Sequence, residues 1–260
     1  MTTQEVLLVS KEEGICTLTI NRPERRNALT LEVYTQLVEA LRAAGEDGQT
    51  KVVVLRGAGT QAFSSGYEIP QLATSSEPQD KSPLEETMLA IETCPVPVVA
   101  MIYGYCIAAG FGLAVSCDLR LAADNARLGV TAANLGVVYL ASGLLRFIDV
   151  VGVSVTKELL YTGRLIDAER AREIKLVNQV VPADQLATVT CDLAREIADN
   201  APLSVRGTKA IISSLLDYQA LSRETREEFL ALRKQAFDSE DLQEGKRAFA
   251  EKRKPIFKGR

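Results

Sequence analysis

Apolar residues along the chain fall into short β-branched runs that alternate with stretches of helical spacing. Residues 5–9 and 15–20 cluster apolar positions around Lys11-Glu12-Glu13-Gly14, which predicts a β-hairpin ended by Asn21-Arg22-Pro23. Thr30 is placed to cap a helix whose Val33, Leu37, Val38 and Leu41 recur at helical spacing to about Ala44. Val52-Val53-Val54-Leu55 predicts a buried strand, closed by Gly57-Ala58-Gly59. Residues 70–83 are rich in Ser, Glu, Gln and Pro and predict a loop, followed by a helix from about Leu84 to Thr93. A second buried strand, Val98-Val99-Ala100-Met101-Ile102, is broken by Gly104. A helix is expected from Ile107 to Ala114, then a strand over Leu119-Arg120-Leu121-Ala122. This repeat of strand and helix wound in one direction predicts an α/β core. After Gly143 the pattern turns helical: Val155–Tyr161, Asp167–Ile174, Ala183–Asp199 and Pro202–Asp217, with a short strand over Val177–Val181. Ser222–Phe237 and Asp241–Lys252 continue as amphipathic helices. No internal repeat or low-complexity linker interrupts the chain.

Composition narrows the chemistry. The 260 residues carry a net charge of −4, which gives no general attraction to nucleic acid or to an anionic membrane. No apolar run reaches the 18 or so residues of a membrane span, and no N-terminal signal segment is apparent, so a cytoplasmic protein is expected. The five cysteines (Cys16, Cys94, Cys106, Cys117, Cys191) lack C-x-x-C spacing and predict free thiols in a reducing compartment. The chain has no histidine, which removes Ser-His-Asp and Cys-His catalysis, imidazole bases and H-E-x-x-H zinc sites together. No metal site is expected.

The candidate chemistry centres on residues 96–143. After Gly104 the run Ile107-Ala108-Ala109-Gly110-Phe111-Gly112 is made of small residues at a strand-to-helix turn. There another backbone or a ligand can approach closely, and the first N–H groups of the helix point outward with the positive dipole end behind them. Such a place suits a developing negative oxygen; it equally suits tight packing alone.

Several motifs, in order along nearly the whole chain, resemble one family. Asn21-Arg22-Pro23 with Asn27-Ala28-Leu29 is similar to the N-R-P…N-A-L opening of the crotonase (enoyl-CoA hydratase/isomerase) superfamily. Ala62-Phe63-Ser64-Ser65-Gly66-Tyr67-Glu68-Ile69 resembles its A-F-x-A-G-x-D turn, and Gly104 to Gly110 its N-G-x-x-x-G-G-G helix start, followed by Cys117-Asp118. Thr162-Gly163-Arg164, Asp167 to Ala171, Val177-Asn178-Gln179-Val180-Val181 and the ending Asp241 to Arg253 also match. The resemblance implies an α/β spiral of ββα turns over about residues 1–200 and a helical trimerisation region over 201–260. It implies a homotrimer or dimer of trimers, and an acyl-CoA substrate with no separate cofactor. By position, the Tyr67 and Ala109 N–H groups would form the oxyanion hole. Ala28, Ala62, Ser64, Ser65, Gly66 and Gly110 would line the CoA, and Phe249 and Lys252 would reach a CoA bound at a neighbouring subunit.

The chain departs from the pattern at its acids. The two glutamates that handle water in the family's hydratases would align with Gly112 and Ala132, and neither side chain transfers a proton. Leu140 stands where a dehalogenase-type aspartate would fall. Asn134-Leu135-Gly136-Val137-Val138-Tyr139 is similar to the N-L-G-V-x-Y of methylmalonyl-CoA decarboxylase, with Tyr139 as proton donor, though that branch has a histidine where this chain has Tyr67. Decarboxylation of a malonyl-type thioester is therefore expected. A hydratase or isomerase drawing on Glu68, Glu85 or Glu86, and a non-catalytic CoA-binding protein, are the alternatives.

Overall fold

The computed structural model describes residues 5–67, 82–132, 141–216, 239–251, 253 and 255–260. The chain opens with the expected hairpin, β1 (Leu7–Glu12) against β2 (Ile15–Ile20), antiparallel and joined at Glu13-Gly14. Both turn residues have positive φ (49° and 81°), the twist that a two-residue hairpin turn favours. Helix α1 (Leu31–Glu46) starts at Thr30, whose side-chain oxygen accepts from Val33 N at 3.4 Å, and buries Val33, Leu37, Val38 and Leu41.

From there each circuit contributes two strands and a helix: β3 (Val52–Gly57), β4 (Ala62–Ser64) and α2 (Pro83–Thr93); then β5 (Val98–Ile102), β6 (Tyr105–Ile107) and α3 (Ala109–Ser116); then β7 (Leu119–Ala123), β8 (Arg127–Gly129) and α4 (Ala141–Thr162). The first strand of each circuit joins a six-stranded sheet ordered β1-β2-β3-β5-β7-β10, with β10 at Gln179–Val181. The second joins a smaller sheet, β4-β6-β8-β9, with β9 at Ile166–Asp167. This is the ββα spiral the motifs imply. Strands β3, β5 and β7 pair in parallel and are covered on both faces, which is why they read as unbroken apolar runs. Val53, Leu55, Val98, Ala100 and Ile102 share one core with residues of α1, α2 and α3. On the other face Val52, Val54, Val99 and Met101 pack with Leu186, Ala194 and Ala198 of α6 (Leu186–Ala198).

Two expectations are corrected. Ile107 belongs to β6 rather than to the helix, and α3 begins only at Ala109, because Ile107 pairs with Gly129 of β8 and Ala108 N donates to Gly129 O at 2.9 Å. Helix α4 is longer than Val155–Tyr161, with a break at Gly152, where φ is +76°. Helices α5 (Ala168–Glu173), α7 (Pro202–Leu216) and α8 (Glu240–Glu251) complete the described elements, and the predicted helix over 222–237 lies outside the described residues.

Two buried cations tie the layers together. Arg120 of β7 donates to Leu176 O at 2.7 Å and to the carbonyls of Ala114, Val115 and Cys117, closing the C-terminal end of α3. Lys209 of α7 reaches Asp118 Oδ2 at 2.6 Å, Val96 O at 3.0 Å and Ile91 O at 3.2 Å, which docks α7 beside the start of β5. Among the described residues no helix is long and apolar enough to cross a membrane, and no group of three or more acids, cysteines or histidines could hold a metal.

Candidate active site

Strands β4 and β6 are parallel neighbours, with Ala62 opposite Tyr105 and Ser64 opposite Cys106. Both chains therefore leave the small sheet at the same end, one into the turn Ser64–Tyr67 and the other into α3. The two segments touch. A methyl group built on Gly66 would lie 2.9 Å from Ala108 Cβ, 3.0 Å from Ile107 O and 3.2 Å from Ala109 N. One built on Gly110 would lie 2.6 Å from Ser64 Cβ and 2.8 Å from Ser64 O. Only hydrogen fits at either position. Gly66 also has a φ of +90°, which an L side chain rarely adopts.

The directions of the two amides follow from peptide planarity, since a carbonyl and the following N–H point opposite ways. Gly66 O accepts from Leu29 N at 2.8 Å, so Tyr67 N–H points away from the Leu29 strand. Ala108 O accepts from Gly112 N at 3.0 Å along the axis of α3, so Ala109 N–H points out of the helix start. Among the described residues no hydrogen bond takes up either N–H. Ala108 itself sits at φ 53°, ψ −118°, a conformation that costs a non-glycine residue about 1–3 kcal/mol. That strain lets the chain turn sharply enough for α3 to start beside the Gly66 turn.

The described neighbours of Gly112 are apolar. Gly112, one turn into α3, faces Met88 Sδ at 3.5 Å and Leu84 Cδ1 at 3.9 Å from where its Cβ would be. Ala132 is half-buried against the same core, as are Leu84 and Tyr67. Tyr67 lies against Tyr34, with ring centroids 5.3 Å apart. Burial pushes its phenol above the usual value, against the opposing pull of the Tyr34 and Ser82 side chains, and keeps it neutral at physiological pH. Of the acids on α2, Glu86 pairs with Arg42 at 3.5 Å and Glu92 pairs with Arg146, while Glu85 is half-buried beside Leu84.

The fold that carries this junction is shared with solved structures. The model of the family described as enoyl-CoA hydratase/isomerase matches residues 10–260. The chain belongs to the enoyl-CoA hydratase/isomerase family. It is 33% identical over 257 residues to a 2,3-dehydroadipyl-CoA hydratase of Escherichia coli, covering 98% of this chain and 99% of that one. The structure of an enoyl-CoA hydratase/carnithine racemase from Magnetospirillum magneticum superposes with a TM-score of 0.91 at 34% identity, covering 99% of this chain and 97% of that one. An enoyl-CoA hydratase from Bacillus anthracis gives 0.88 at 34% identity, covering 98% and 100%. The fold expected from the motifs is thus the fold of this hydratase/isomerase family.

Within that fold Ser64, Ser65, Gly66, Tyr67, Ala109 and Gly110 converge. Ser64 Oγ accepts from Gly66 N at 3.1 Å and stiffens the turn. Ala28 is buried nearby, with its N–H donated to Arg25 O and its carbonyl accepting from Arg22 Nη1 at 2.7 Å, which leaves only a second carbonyl lone pair for a ligand. Ala62 lies at the far end of β4, buried, its carbonyl taken by Asn27. Phe249 falls on α8 without a described side chain, and Tyr139, Lys252 and Glu68 lie outside the described residues. Sequence reasoning did not foresee the strain at Ala108 or the side-chain role of Asn27. Ala108 takes its conformation from pairing beside β8, and Asn27 takes its role from reaching Ala58 and Ala62, more than 30 residues away, which no local pattern shows.

Proposed function

We propose that the protein binds an acyl-CoA thioester with its carbonyl oxygen against Tyr67 N–H and Ala109 N–H, and that these amides stabilise the thioester enolate. A pair of fixed donors is the strongest device this chain offers, since losing one such donor typically costs about 3–4 kcal/mol of transition-state stabilisation. The reaction it fits best is loss of CO₂ from a malonyl-type thioester such as methylmalonyl-CoA. The carbon–carbon bond to the carboxylate breaks, its electrons pass to the thioester oxygen, and a proton then returns to the α-carbon. No base is needed to start. The observation that carries this reading is the setting of Gly112 beside Leu84 and Met88: an apolar surface weakens solvation of the departing carboxylate, and neither side chain can activate water. Tyr139 is our proposed proton donor.

A second reading, hydration or isomerisation, is favoured by the hydratase relative from Escherichia coli and by Glu85, half-buried on α2 next to Leu84. Incubation with methylmalonyl-CoA and, separately, with crotonyl-CoA distinguishes the two. CO₂ release supports decarboxylation, loss of the enoyl absorbance supports hydration, and binding without turnover of either leaves a CoA-binding protein. Tyr139→Phe should lower turnover more than CoA affinity; unchanged turnover would remove Tyr139 from the mechanism. We further propose that residues 201–260 mediate self-association into a trimer or dimer of trimers, a reading supported by the exposed Ile212, Leu215 and Leu216 of α7. Sedimentation as a monomer at micromolar concentration would refute it.

A further inference from the structure

Opposite its contact with α3, the turn that presents Tyr67 N–H is held by the segment Arg26–Leu29. Ser65 N donates to Arg26 O at 3.0 Å and Leu29 N to Gly66 O at 2.8 Å. Between them Asn27, with 1% of its surface exposed, makes three side-chain hydrogen bonds. Its Oδ1 accepts from Arg22 N at 3.1 Å, and its Nδ2 donates to Ala58 O at 3.0 Å and to Ala62 O at 2.7 Å. One amide group therefore joins the Arg22 loop, the end of β3 and the start of β4. The fit leaves no slack, for a methyl group on Gly57 would lie 2.4 Å from Asn27 Nδ2. Arg26 and Asn27 also both have positive φ, 52° and 54°, so this segment is wound into a form that free chain does not hold.

We infer that Asn27 is a positioning residue: its side-chain amide fixes β4 and the Ser64–Tyr67 turn so that Tyr67 N–H meets the thioester oxygen. It touches no substrate and acts through β4. The inference rests on the oxyanion reading above. It is also a matter of chemistry, since only a carboxamide offers one acceptor and two donors in a plane at this reach. Aspartate tolerates the same backbone but sets a carboxylate against two carbonyl oxygens. Glycine relaxes the backbone and removes all three bonds.

The test uses acetyl-CoA labelled with ¹³C at the thioester carbonyl, bound to the full-length protein, with affinity read by calorimetry and bond polarisation by the infrared carbonyl band. Wild type is expected to lower the carbonyl frequency relative to free acetyl-CoA. At saturating acetyl-CoA, Asn27→Asp and Asn27→Gly are expected to lose about half or more of the downshift. The glycine variant is the safeguard for folding, because relief of the left-handed backbone offsets part of the lost bonding. Arg22→Met is the control: it removes the Arg22 bond to Ala28 O and leaves the Asn27 bonds to Ala58 O and Ala62 O available, so it should lower the melting temperature while keeping the full downshift. A folded Asn27 variant with the wild-type downshift overturns the positioning role alone. Wild type that fails to bind acetyl-CoA, or binds it with no downshift, overturns the oxyanion reading and the positioning role with it.

Discussion

Glycines 110 and 112 stand two residues apart on α3 and should respond to alanine with opposite signs. At Gly110 a new Cβ would sit 2.6 Å from Ser64 Cβ, about 0.9 Å inside the roughly 3.5 Å at which carbon atoms touch. The opposing atoms are Cβ, O and Oγ of Ser64, and a turn of Oγ about its bond relieves neither of the other two, so either α3 or the Ser64–Tyr67 turn must move by nearly that distance. Overpacking of this kind costs about 1–3 kcal/mol, partly offset by the roughly 0.5–1 kcal/mol that alanine gains over glycine within a helix. The net expectation for Gly110→Ala is a loss of about 0–2.5 kcal/mol, or up to roughly 10 °C in melting temperature at about 2–4 °C per kcal/mol. The functional loss should be larger than the loss of stability, because a displacement near 1 Å between paired amides can cost on the order of 100-fold in rate. At Gly112 the nearest atom is Met88 Sδ at 3.5 Å, an ordinary contact, so Gly112→Ala should stabilise by about 0.5–1 kcal/mol. Thermal melts of both variants, with acetyl-CoA carbonyl polarisation as the functional readout, decide the matter. Gly110→Ala melting above wild type with undiminished polarisation, or Gly112→Ala melting below Gly110→Ala, would refute the proposed contact between α3 and the turn.

Lys209→Met strips Asp118 and two carbonyls of their buried cation; because Asp118 keeps about a third of its side-chain surface in water, the loss should be about 2–3 kcal/mol, with part recovered by adding Asp118→Asn, as read from denaturant melts. Gly112→Glu combined with Ala132→Glu should create measurable crotonyl-CoA hydration, followed by absorbance; none would mean that the pocket shape has diverged along with the acids. Asp47 is held well below the usual carboxylate range: partial burial works to raise it, but hydrogen bonds from Lys11, Thr50 and Gln49 outweigh that. A depressed folded-state value gives stability that is present above about pH 4 and lost as pH falls below it, so the melting difference between wild type and Asp47→Asn should shrink from pH 6 to pH 2. Burial pushes the Cys117 thiol up to about 12 and raises Cys106 as well, so alkylation of the native protein at pH 8 should spare both, and their modification would contradict the packing around α3.

The amino-acid order by itself carried the elements that bury a face. The hairpin of β1 and β2, the capped helix α1 and the apolar strands β3 and β5 each contain enough residues for a period to show, and each formed where the pattern put it. It also carried the chemical exclusions that follow from the missing histidine and from Gly112 and Ala132. Tertiary structure alone decided the small sheet. Strands of two or three residues such as β4, β8 and β9 have no readable period and exist because a neighbour supplies their hydrogen bonds. For the same reason the helix start moved from Ile107 to Ala109: pairing with Gly129 outcompeted the helical preference of two residues, and left Ala108 at a positive φ that alanine rarely adopts. The site lives at that junction. Its residue types were legible along the chain, whereas the direction of its two N–H groups depends on which carbonyls Leu29 and Gly112 happen to meet, and only the folded chain determines that.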